Sequence, residues 1–530
     1  MAIAVDFGTS NTVVARWNAA SETPETLDLS DLSVRLGEDP PVVPSLLYVE
    51  HPHPKSIIAG QAVPDRGLDI AADPRFFRNF KRGIGASLQG FLPEIEGQTL
   101  TFERVGQWFL EIVLDKVKAT EAEADSLVLT VPVDSFEAYR LWLGELAESL
   151  NFKQVRLIDE PTAAALGYGL MGNQTLLVLD MGGGTLDWSL VQLRTPEDRP
   201  ALGFILKWGR KNMAKETAQT PKKAKVLAKA GENLGGADID NWLVEYFQQQ
   251  QQLEITPVVQ RLVERLKIQL SQQEAAQEVY FNDETLETYE FSLTRDQFEG
   301  ILQEQQLFDR LESSLAQVQQ QARRQGVSPE DIDAVLLVGG TTQIPAVQDW
   351  VRQQFPAEKI KSDKPFEAVA HGALRLDQGL DLEDFLYHSY GVRYWDRRNN
   401  CHGWHPIVKQ GQPYPMAQPV ELTLGASVDK QPSIELVLGE LGEAATQTEV
   451  FFENGRLVTR QMGEGTTQVQ PLNDKDGART IAQLNPPGFP GTDRIRVLFR
   501  IDADRLLRIT VEDILTGDTL LTNQPVVKLS

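Results

Sequence analysis

The chain has 530 residues, too many for one hydrophobic core, so we expect it to divide into two or three domains. Its formal net charge of −24 at pH 7 disfavours nucleic acids and anionic membranes as general partners. The single cysteine, Cys401, excludes an intrachain disulfide and a cysteine metal cluster, and it favours a reducing, cytoplasmic location.

The N-terminal segment predicts no signal peptide, because it lacks a basic region and carries an acid at Asp6. Apolar runs elsewhere, such as 335–338, are far shorter than the roughly 20 residues that a membrane-spanning helix needs. We therefore expect no membrane partner.

Strands and helices are predicted to alternate through the first 380 residues. Short buried strands are expected over 2–5 and 176–179, and each runs into a loop that is rich in glycine and carries acids. Apolar periodicity predicts further helices and interior parallel strands, at 104–120, 128–131, 136–150 and 335–338. The alternation predicts a layered α/β domain, and the recurring strand and loop indicate an internal duplication.

Beyond Tyr390 the pattern changes to period two, with Gly, Pro, Asn and Asp between the runs. Strands are predicted over 421–424, 433–438, 494–501 and 507–512. The sequence thus predicts a domain at 1–379, a linker at 380–389 that begins Leu-Asp-Leu-Glu-Asp, and an antiparallel β domain at 390–530.

One basic segment stands apart from the acidic chain. Eight Lys and Arg residues lie between Lys207 and Lys229 against Glu216 alone. We interpret the segment either as an exposed mobile loop or as a surface that docks an acidic partner.

Two glycine loops have the composition of polyphosphate sites. Glycine and small hydroxyl residues let backbone N–H groups approach phosphates closely, as in Gly8-Thr9-Ser10 and Gly182-Gly183-Gly184-Thr185. Acids beside the loops suit Mg²⁺ held through water, and they are Asp6, Asp180 and Asp187.

A third glycine turn, 339–345, follows a predicted strand and has a proline at its expected helix start, so it would lie flat against a base or ribose. Glu264, Lys267 and Ser271 are spaced three and four apart, which puts them on one helix face. On spacing alone, an exposed Glu–Lys pair is the competing interpretation.

Six segments together resemble the DnaK-type, seventy-kilodalton heat-shock chaperone family, most clearly over residues 1–380. They are 6–12, Val131-Pro132, Glu160-Pro161-Thr162-Ala163-Ala164-Ala165 with Asp159, 182–187, 234–240 and 339–345. The resemblance implies an actin-like, duplicated ribonuclease-H-like α/β ATPase domain followed by an all-β sandwich that binds peptides. About twenty residues near 203–222 look inserted relative to the family.

The resemblance also implies roles for single residues. Catalysis of ATP hydrolysis would involve Lys81, Glu160, Asp187, Asp6 and Thr185, and Mg²⁺ would be held through water by Asp6, Asp180 and Asp187. ATP or ADP, with Mg²⁺ and K⁺, would contact Gly8, Thr9, Ser10, Asn11, Gly182, Gly183, Gly184, Thr185, Gly235, Gly236, Glu264, Lys267, Ser271, Gly339, Gly340 and Gln343. The competing interpretation of Lys81 is an exposed loop lysine.

Further positions resemble the family's communication and peptide sites. Pro132 and Arg140 would relay nucleotide occupancy to the second domain, and Arg156 would contact a J-domain co-chaperone, although each also has a structural explanation. The peptide pocket would comprise Val392, Trp395, Ile434 and Leu436, which on periodicity alone are core residues.

Departures from the family pattern leave the function open. Gln343 replaces an arginine that stacks on adenine, Phe366 replaces an aspartate, and the linker is less apolar. The chain ends at Ser530 directly after a predicted strand at 526–529, so we expect no helical lid.

The leading hypothesis is an ATP-dependent chaperone that binds unfolded apolar peptides in the stress response, served by J-domain and nucleotide-exchange partners. The alternatives are a lidless co-chaperone or nucleotide-exchange factor that binds ATP structurally, and a metabolite kinase on the same fold.

Overall fold

A computed structural model provides the coordinates of the chain. It describes residues 1–35, 37, 39–69, 73–85, 92–121, 124–132, 139, 142–146, 150, 152–170, 173–194, 205–208, 223–282, 285–377, 389–396, 401–409, 415–416, 418–441, 447–453, 456–462, 469–472, 479–502 and 505–529. Every structural statement below refers to these residues.

The chain forms two compact units, residues 1–382 with 448–460, and residues 383–447 with 461–530. Residues 448–460, which belong to the hairpin Gln447–Glu453 and Arg456–Met462, are grouped with the first unit, whereas the sequence predicts one domain over 390–530. The predicted linker lies outside the described residues except for Ser389, so its boundaries stay a prediction.

The first unit begins with a sheet whose central strand, Ala2–Asp6, is almost entirely buried. Asn11–Asn18 pairs with it antiparallel on one side, and Ser126–Val131 pairs with it parallel on the other. The sheet order is Ile205–Trp208, Gln154–Asp159, Ser126–Val131, Ala2–Asp6, Asn11–Asn18 and Thr23–Thr26, with Val43–Pro44 beside Asn11–Asn18.

A second sheet in the first unit repeats this arrangement. Gln174–Met181 is central, with Leu186–Arg194 antiparallel on one side and Ala334–Val338 parallel on the other. Its order is Lys223–Glu232, Leu186–Arg194, Gln174–Met181, Ala334–Val338 and Ile360–Lys361. In each sheet, two successive antiparallel pairings follow the central strand on one side, and two successive parallel pairings follow it on the other. This shared order confirms the predicted duplication and the actin-like α/β class.

The helices cover these sheets because their apolar residues follow a helical period. In Phe102–Thr120, Val105, Trp108 and Phe109 are buried, and Thr101 caps the helix by accepting the N–H of Arg104. The α-helices of the first unit are Ala62–Asp65, Phe102–Thr120, Glu160–Gly167, Gly236–Gln251, Pro257–Gln272, Arg295–Glu304, Leu307–Arg324, Pro345–Gln354 and Ala368–Asp377. The short 3-10 helices are Ser30–Leu32, Pro54–Ser56, Phe80–Gly83, Pro329–Asp331, Gly340–Gln343 and Ala357–Lys359.

Two of these helices cross between the sheets. Glu160–Gly167 and Ala368–Asp377 share one core with alanines and aliphatic residues from both sheets. At the crossing, a Cβ on Gly167 or on Gly372 would overlap the carbonyl oxygen of Ala368 or Ala163, so only glycine allows the backbones to come so close.

Smaller strands of the first unit form three side structures. They are the sheet Ile57–Ala59, Leu46–Val49, Phe76–Arg78, the hairpin Glu94–Ile95 and Gln98–Thr99, and the hairpin Ala275–Asn282 and Glu287–Thr294.

The second unit is all β in the part that the structure describes. One sheet has the order Cys401–Val408, Ser389–Asp396, Leu438–Leu441 and Val469–Pro471, and another has the order Val420–Gly425, Asp493–Ile501, Leu506–Asp513 and Thr519–Lys528. Gln431–Leu436 pairs separately with Arg479–Gly488. Tyr390 and Leu438 from the first sheet and Val497 and Phe499 from the second share one core, as a β-sandwich requires.

The basic segment is not a loop where it is described. Ile205–Trp208 is an edge strand of the first sheet, and Lys223–Glu232 is an edge strand of the second. The loop interpretation of these parts is wrong because the charge count hid the apolar residues between the lysines, Ala224, Val226, Leu227 and Ala228. Residues 209–222 lie outside the described residues.

None of the helices in the described residues is both long enough and apolar enough to cross a membrane.

Candidate functional site

The two glycine loops face each other where the central strands of the sheets end. A Cβ on Gly183 would overlap the side chain of Ser10, and a Cβ on Gly184 would overlap the side chain of Thr9. Gly236 and Ala237 donate their N–H groups to the carbonyls of Gly182 and Gly183, both at 2.9 Å. The loops form a tight, backbone-lined cradle of the kind that phosphate groups require.

Ser45 fixes the first loop, and sequence reasoning missed it. Its hydroxyl donates to the carbonyl of Gly8 at 2.8 Å, its N–H donates to the carbonyl of Ser10 at 2.8 Å, and Thr12 lies 3.0 Å from its Oγ. Ser45 is buried directly after the strand Val43–Pro44. A lone serine so far along the chain carries no local signal of this role.

Three carboxylates and one lysine are collected at the floor of the cradle. Asp6 ends the first central strand and accepts the hydroxyl of Thr130 at 2.8 Å, while Asp180 lies near the end of the second central strand. Glu160 begins a helix that is capped by Asp159, and its Oε1 lies 3.4 Å from Nζ of Lys81.

Burial dominates the electrostatics of this floor. It raises the pKa of Asp6, and for Glu160 burial, assisted by the charge of Asp6, raises the pKa to about 7. Asp180 has its pKa raised by burial and by the charges of Glu160, Asp187 and Asp6. Burial alone would lower the pKa of Lys81, but the surrounding negative charges, Glu160 first, raise it. The floor therefore disfavours ionisation of all three carboxyls at once beside a single lysine.

Asp187 lies on the neighbouring strand and is not among the residues that line the cleft. It lies directly opposite Asp180 in the antiparallel pair Gln174–Met181 and Leu186–Arg194. The described residues contain no group of three or more His, Cys, Asp and Glu side chains that could hold a metal directly. Mg²⁺ bridged by water and phosphate fits this acid-rich floor and stays a prediction.

Lys81 owes its position to a 3-10 helix, Phe80–Gly83, that follows the strand Phe76–Arg78. The next residue, Arg82, was not predicted from the sequence to belong to the site. The Arg82 guanidinium donates to the carbonyl of Gly184 at 3.1 Å and to Asp238 at 3.1 Å. Arg82 thus fixes the second glycine loop, and Lys81, with its side chain 12% exposed, lies at the floor and is not an exposed loop lysine.

The helix Pro257–Gln272 forms the opposite wall. Lys267 is 9% exposed, and its Nζ lies 2.7 Å from Asp240 and donates to the carbonyl of Gly236 at 3.1 Å. These contacts exclude the exposed Glu–Lys pair. Glu264 instead lies 3.5 Å from Arg78, and burial raises the pKa of Asp240 to about 6.

The third glycine turn closes the wall beside this helix. Gly339 has φ of +84°, which favours glycine, and donates its N–H to the carbonyl of Pro365 at 2.8 Å. The hydroxyl of Thr341 donates to the carbonyl of Gly182 at 2.8 Å. The turn is therefore tied to the second phosphate loop.

These parts line one cleft of about 240 Å³. The predicted residues along it are Asp6, Gly8, Thr9, Ser10, Asn11, Lys81, Glu160, Asp180, Gly182, Gly183, Gly184, Thr185, Gly236, Glu264, Lys267, Ser271, Gly339, Gly340 and Gln343. Gly235 packs against the backbone of Gly183 and Gly184. Ile268 also lines the cleft and was missed, because an isoleucine on an amphipathic helix is usually a core residue.

The residues predicted to relay nucleotide occupancy and those predicted to bind peptide lie outside the lining of this cleft. Pro132 follows the strand Ser126–Val131, Arg156 lies on Gln154–Asp159, and Arg140 is outside the described residues. In the second unit, Val392, Ile434 and Leu436 are buried in the sandwich core, whereas Trp395 is 43% exposed against His402. The predicted pocket residues therefore do not form one open surface in this structure.

Comparison with known proteins supplies the family. A family model described as Hsp70 protein matches residues 89–196 and 222–378, and the gap overlaps the predicted insertion. Proteins named Chaperone protein DnaK from Thermotoga petrophila and Thermosipho africanus are each 26% identical, over 97% of this chain and 78% of their own length. The protein of that name from Thermus thermophilus is 28% identical over 83% of this chain and 66% of its own. These matches, on a duplicated fold with a glycine-walled cleft, establish that the chain belongs to the Hsp70 family of chaperones.

Proposed function

We propose that the cleft of this Hsp70-family chain binds ATP with Mg²⁺ and hydrolyses it, and that hydrolysis controls binding of unfolded apolar peptides by the β domain. Members of the family are ATPases that bind ATP or ADP with Mg²⁺. The observation that carries the proposal is the buried floor formed by Lys81, Asp6, Glu160 and Asp180 beneath two facing glycine loops.

Each group on the floor has a role in this proposal. The backbone N–H groups of the glycine loops would hold the phosphates, and Lys81 would lie against the charge that develops on the transferred phosphoryl group. Glu160, whose pKa is near 7, can accept a proton from the attacking water. Bound Mg²⁺ would neutralise part of the negative charge, and Asp6, Asp180 and Asp187 would orient its water ligands.

The proposal is tested by replacing the lysine. Lys81→Ala should lower single-turnover ATP hydrolysis at least about tenfold, equivalent to about 1.4 kcal/mol of barrier, while nucleotide binding survives. The exposed Lys361 supplies the matched control, and Lys361→Ala should leave both quantities unchanged. Hydrolysis at the original rate in Lys81→Ala would remove this lysine from the mechanism.

The finer assignment to peptides rests on the names of the relatives and on the β-sandwich of the second unit. J-domain and nucleotide-exchange co-chaperones and a cytoplasmic location are proposed with it. A co-chaperone or exchange factor that binds ATP structurally is the second candidate, and the changed base-side residues Gln343 and Phe366 favour it.

A further inference from the structure

A buried tyrosine close to the floor of the cleft has an unpaired hydroxyl. Tyr139 is 4% exposed, and its hydroxyl has no hydrogen-bond partner among the described residues. A buried polar group that is left unpaired lowers the stability of a protein, so it calls for a functional reason. The hydroxyl is enclosed and Tyr139 does not line the cleft, so any effect on a bound nucleotide must pass through other side chains.

Tyr139 lies against the segment that carries Lys81. A Cβ on Gly85, which follows Lys81 closely in the sequence, would come within 2.8 Å of the backbone N of Tyr139. The ring of Tyr139 lies 5.5 Å from the ring of Trp142, which in turn lies 6.5 Å from the ring of Phe7. Nζ of Lys81 lies 5.6 Å from the centre of the same Phe7 ring. The tyrosine and the lysine therefore belong to one aromatic cluster.

The charged groups of the floor act on this hydroxyl. Burial raises the pKa of Tyr139 to about 12, and among the neighbouring charges Lys81 acts on it most strongly, followed by Glu160 and Asp6. The phenol therefore stays neutral. A neutral hydroxyl can accept one hydrogen bond and donate another, whereas an ammonium only donates and an ionised carboxylate only accepts. The hydroxyl can thus bridge a lysine and a glutamate.

We propose that Tyr139 positions Lys81 and Glu160 for ATP hydrolysis: its hydroxyl accepts an N–H of the lysine and donates a hydrogen bond to the glutamate once a nucleotide has drawn the lysine toward phosphate. The inference rests on the proposed function, namely that the cleft hydrolyses ATP. Without nucleotide, Nζ of Lys81 lies 3.4 Å from Oε1 of Glu160. That contact is longer than the roughly 2.7–2.9 Å of a charge-assisted hydrogen bond, so the lysine is free to turn.

The rearrangement explains why a hydroxyl is needed at this position. A lysine that turns to the phosphate gives up its contact with Glu160 and leaves that carboxylate enclosed without its donor. The Tyr139 hydroxyl supplies a donor to one carboxylate oxygen, and the other oxygen remains available to the attacking water. Its own oxygen meanwhile fixes the ammonium, because preorganised charge stabilises the transferred phosphoryl group best. Tyr139 is thus a positioning residue.

Replacing Tyr139 by phenylalanine removes the hydroxyl and keeps the ring. Tyr139→Phe should lower single-turnover ATP hydrolysis by the full chain roughly tenfold, because a hydrogen bond to a charged group is lost in the reacting state. ATP affinity, measured by calorimetry, should stay the same. The midpoint of thermal unfolding should not fall, because deleting an unpaired hydroxyl breaks no hydrogen bond in the nucleotide-free protein. A tyrosine with only a structural role would show a lower midpoint instead.

Tyr48 supplies the matched control. It is also 4% exposed and lies outside the lining of the cleft, but its hydroxyl donates to Asp73 at 3.0 Å. Tyr48→Phe should therefore lower the midpoint of thermal unfolding and leave hydrolysis unchanged, which is the reverse of the result expected for Tyr139→Phe.

A double-mutant cycle tests whether the tyrosine acts through the lysine. In the Lys81→Ala background, Tyr139→Phe should change hydrolysis by less than about twofold, because the group that it positions is gone. Equal factors in both backgrounds would overturn the inference, and so would hydrolysis at the original rate in Tyr139→Phe or a fall accompanied by a lower unfolding midpoint. In these cases the proposed function stands, since the original chain still hydrolyses ATP. If the original chain hydrolyses no ATP, the proposed function fails and the inference fails with it.

Discussion

At the scale of single residues, the acidic groups on the floor of the cleft lower the free energy of unfolding at neutral pH. Three carboxylates are largely withdrawn from solvent near one lysine, and the pKa of Glu160 rises to about 7 because ionisation is unfavourable without solvent. A carboxyl with a higher pKa in the folded state binds more protons there than in the unfolded chain. The free energy of unfolding must therefore fall as pH rises from about 4.5 to about 7.

We expect Glu160→Gln to stabilise the nucleotide-free protein at pH 8 by about 1–3 kcal/mol, because it removes this buried charge, and to have little effect at pH 4.5. Denaturant unfolding at both pH values measures the change. Glu358→Gln, on the exposed surface, serves as the control. An equal change at the two pH values would show that the charge of Glu160 is not responsible.

The residues of the site divide by whether their role is visible locally. Gly183 and Gly184 were predicted because close backbone approach demands glycine, and that demand leaves a signature in the sequence. Ser45, Arg82 and Ile268 were not, because each acts on a loop or cleft built from distant parts of the chain. Only the folded backbone brings them there.

At the scale of elements, a buried ion pair joins two neighbouring strands of the β-sandwich. Arg494, in Asp493–Ile501, donates to both oxygens of Asp513, in Leu506–Asp513, at 3.0 and 2.7 Å. It also donates to the carbonyl of Pro486 at 2.8 Å. Asp513 in turn accepts the N–H of Leu515 at 2.9 Å, so the pair ties three strands and one turn together.

Arg494→Met should destabilise the second unit by about 3–5 kcal/mol, because it leaves the Asp513 carboxylate buried and unpaired. Adding Asp513→Asn removes that charge but keeps an acceptor for Leu515, so the double variant should recover most of the loss. Thermal unfolding gives both values. Arg496→Met is the control, since Arg496 lies on the same strand in a half-exposed pair worth at most about 1 kcal/mol. A double variant as unstable as Arg494→Met would contradict the explanation.

Most elements were predictable where one period dominated. The predicted helix 104–120 is observed as Phe102–Thr120, and the apolar run 335–338 as Ala334–Val338. The predicted strand 433–438 is instead divided between Gln431–Leu436 and Leu438–Leu441, which pair with different partners. Periodicity marks extended backbone but does not reveal where a strand changes its partner.

At the scale of the whole molecule, the duplicated sheets could be inferred because both copies keep the strand and glycine loop. What the sequence does not contain is the order of the strands, which is set by contacts between residues more than 100 positions apart, such as Ala2 with Ser126. The peptide residues illustrate the limit: Val392, Ile434 and Leu436 have the alternation of a strand, and alternation describes a core as well as a pocket.

The proposed chaperone function requires the two units to influence each other. We expect a labelled apolar peptide to bind the full chain with affinities that differ between ATP and ADP by roughly 5-fold to 150-fold, and the peptide must change the relative affinity for the two nucleotides by the same factor. Measuring both in Lys81→Ala keeps ATP intact during titration. Equal peptide affinities would favour the co-chaperone or exchange-factor alternative.

The contact of Gly167 with Ala368 and of Gly372 with Ala163 has a mechanical consequence. Two backbones that touch without side chains between them can rotate about the contact, but they cannot slide along each other without a collision of main-chain atoms. Because these helices lie between the two sheets, the crossing defines a pivot for the halves of the first unit. Any relative movement of the two halves is therefore expected to be a rotation about this crossing, without sliding of one helix past the other.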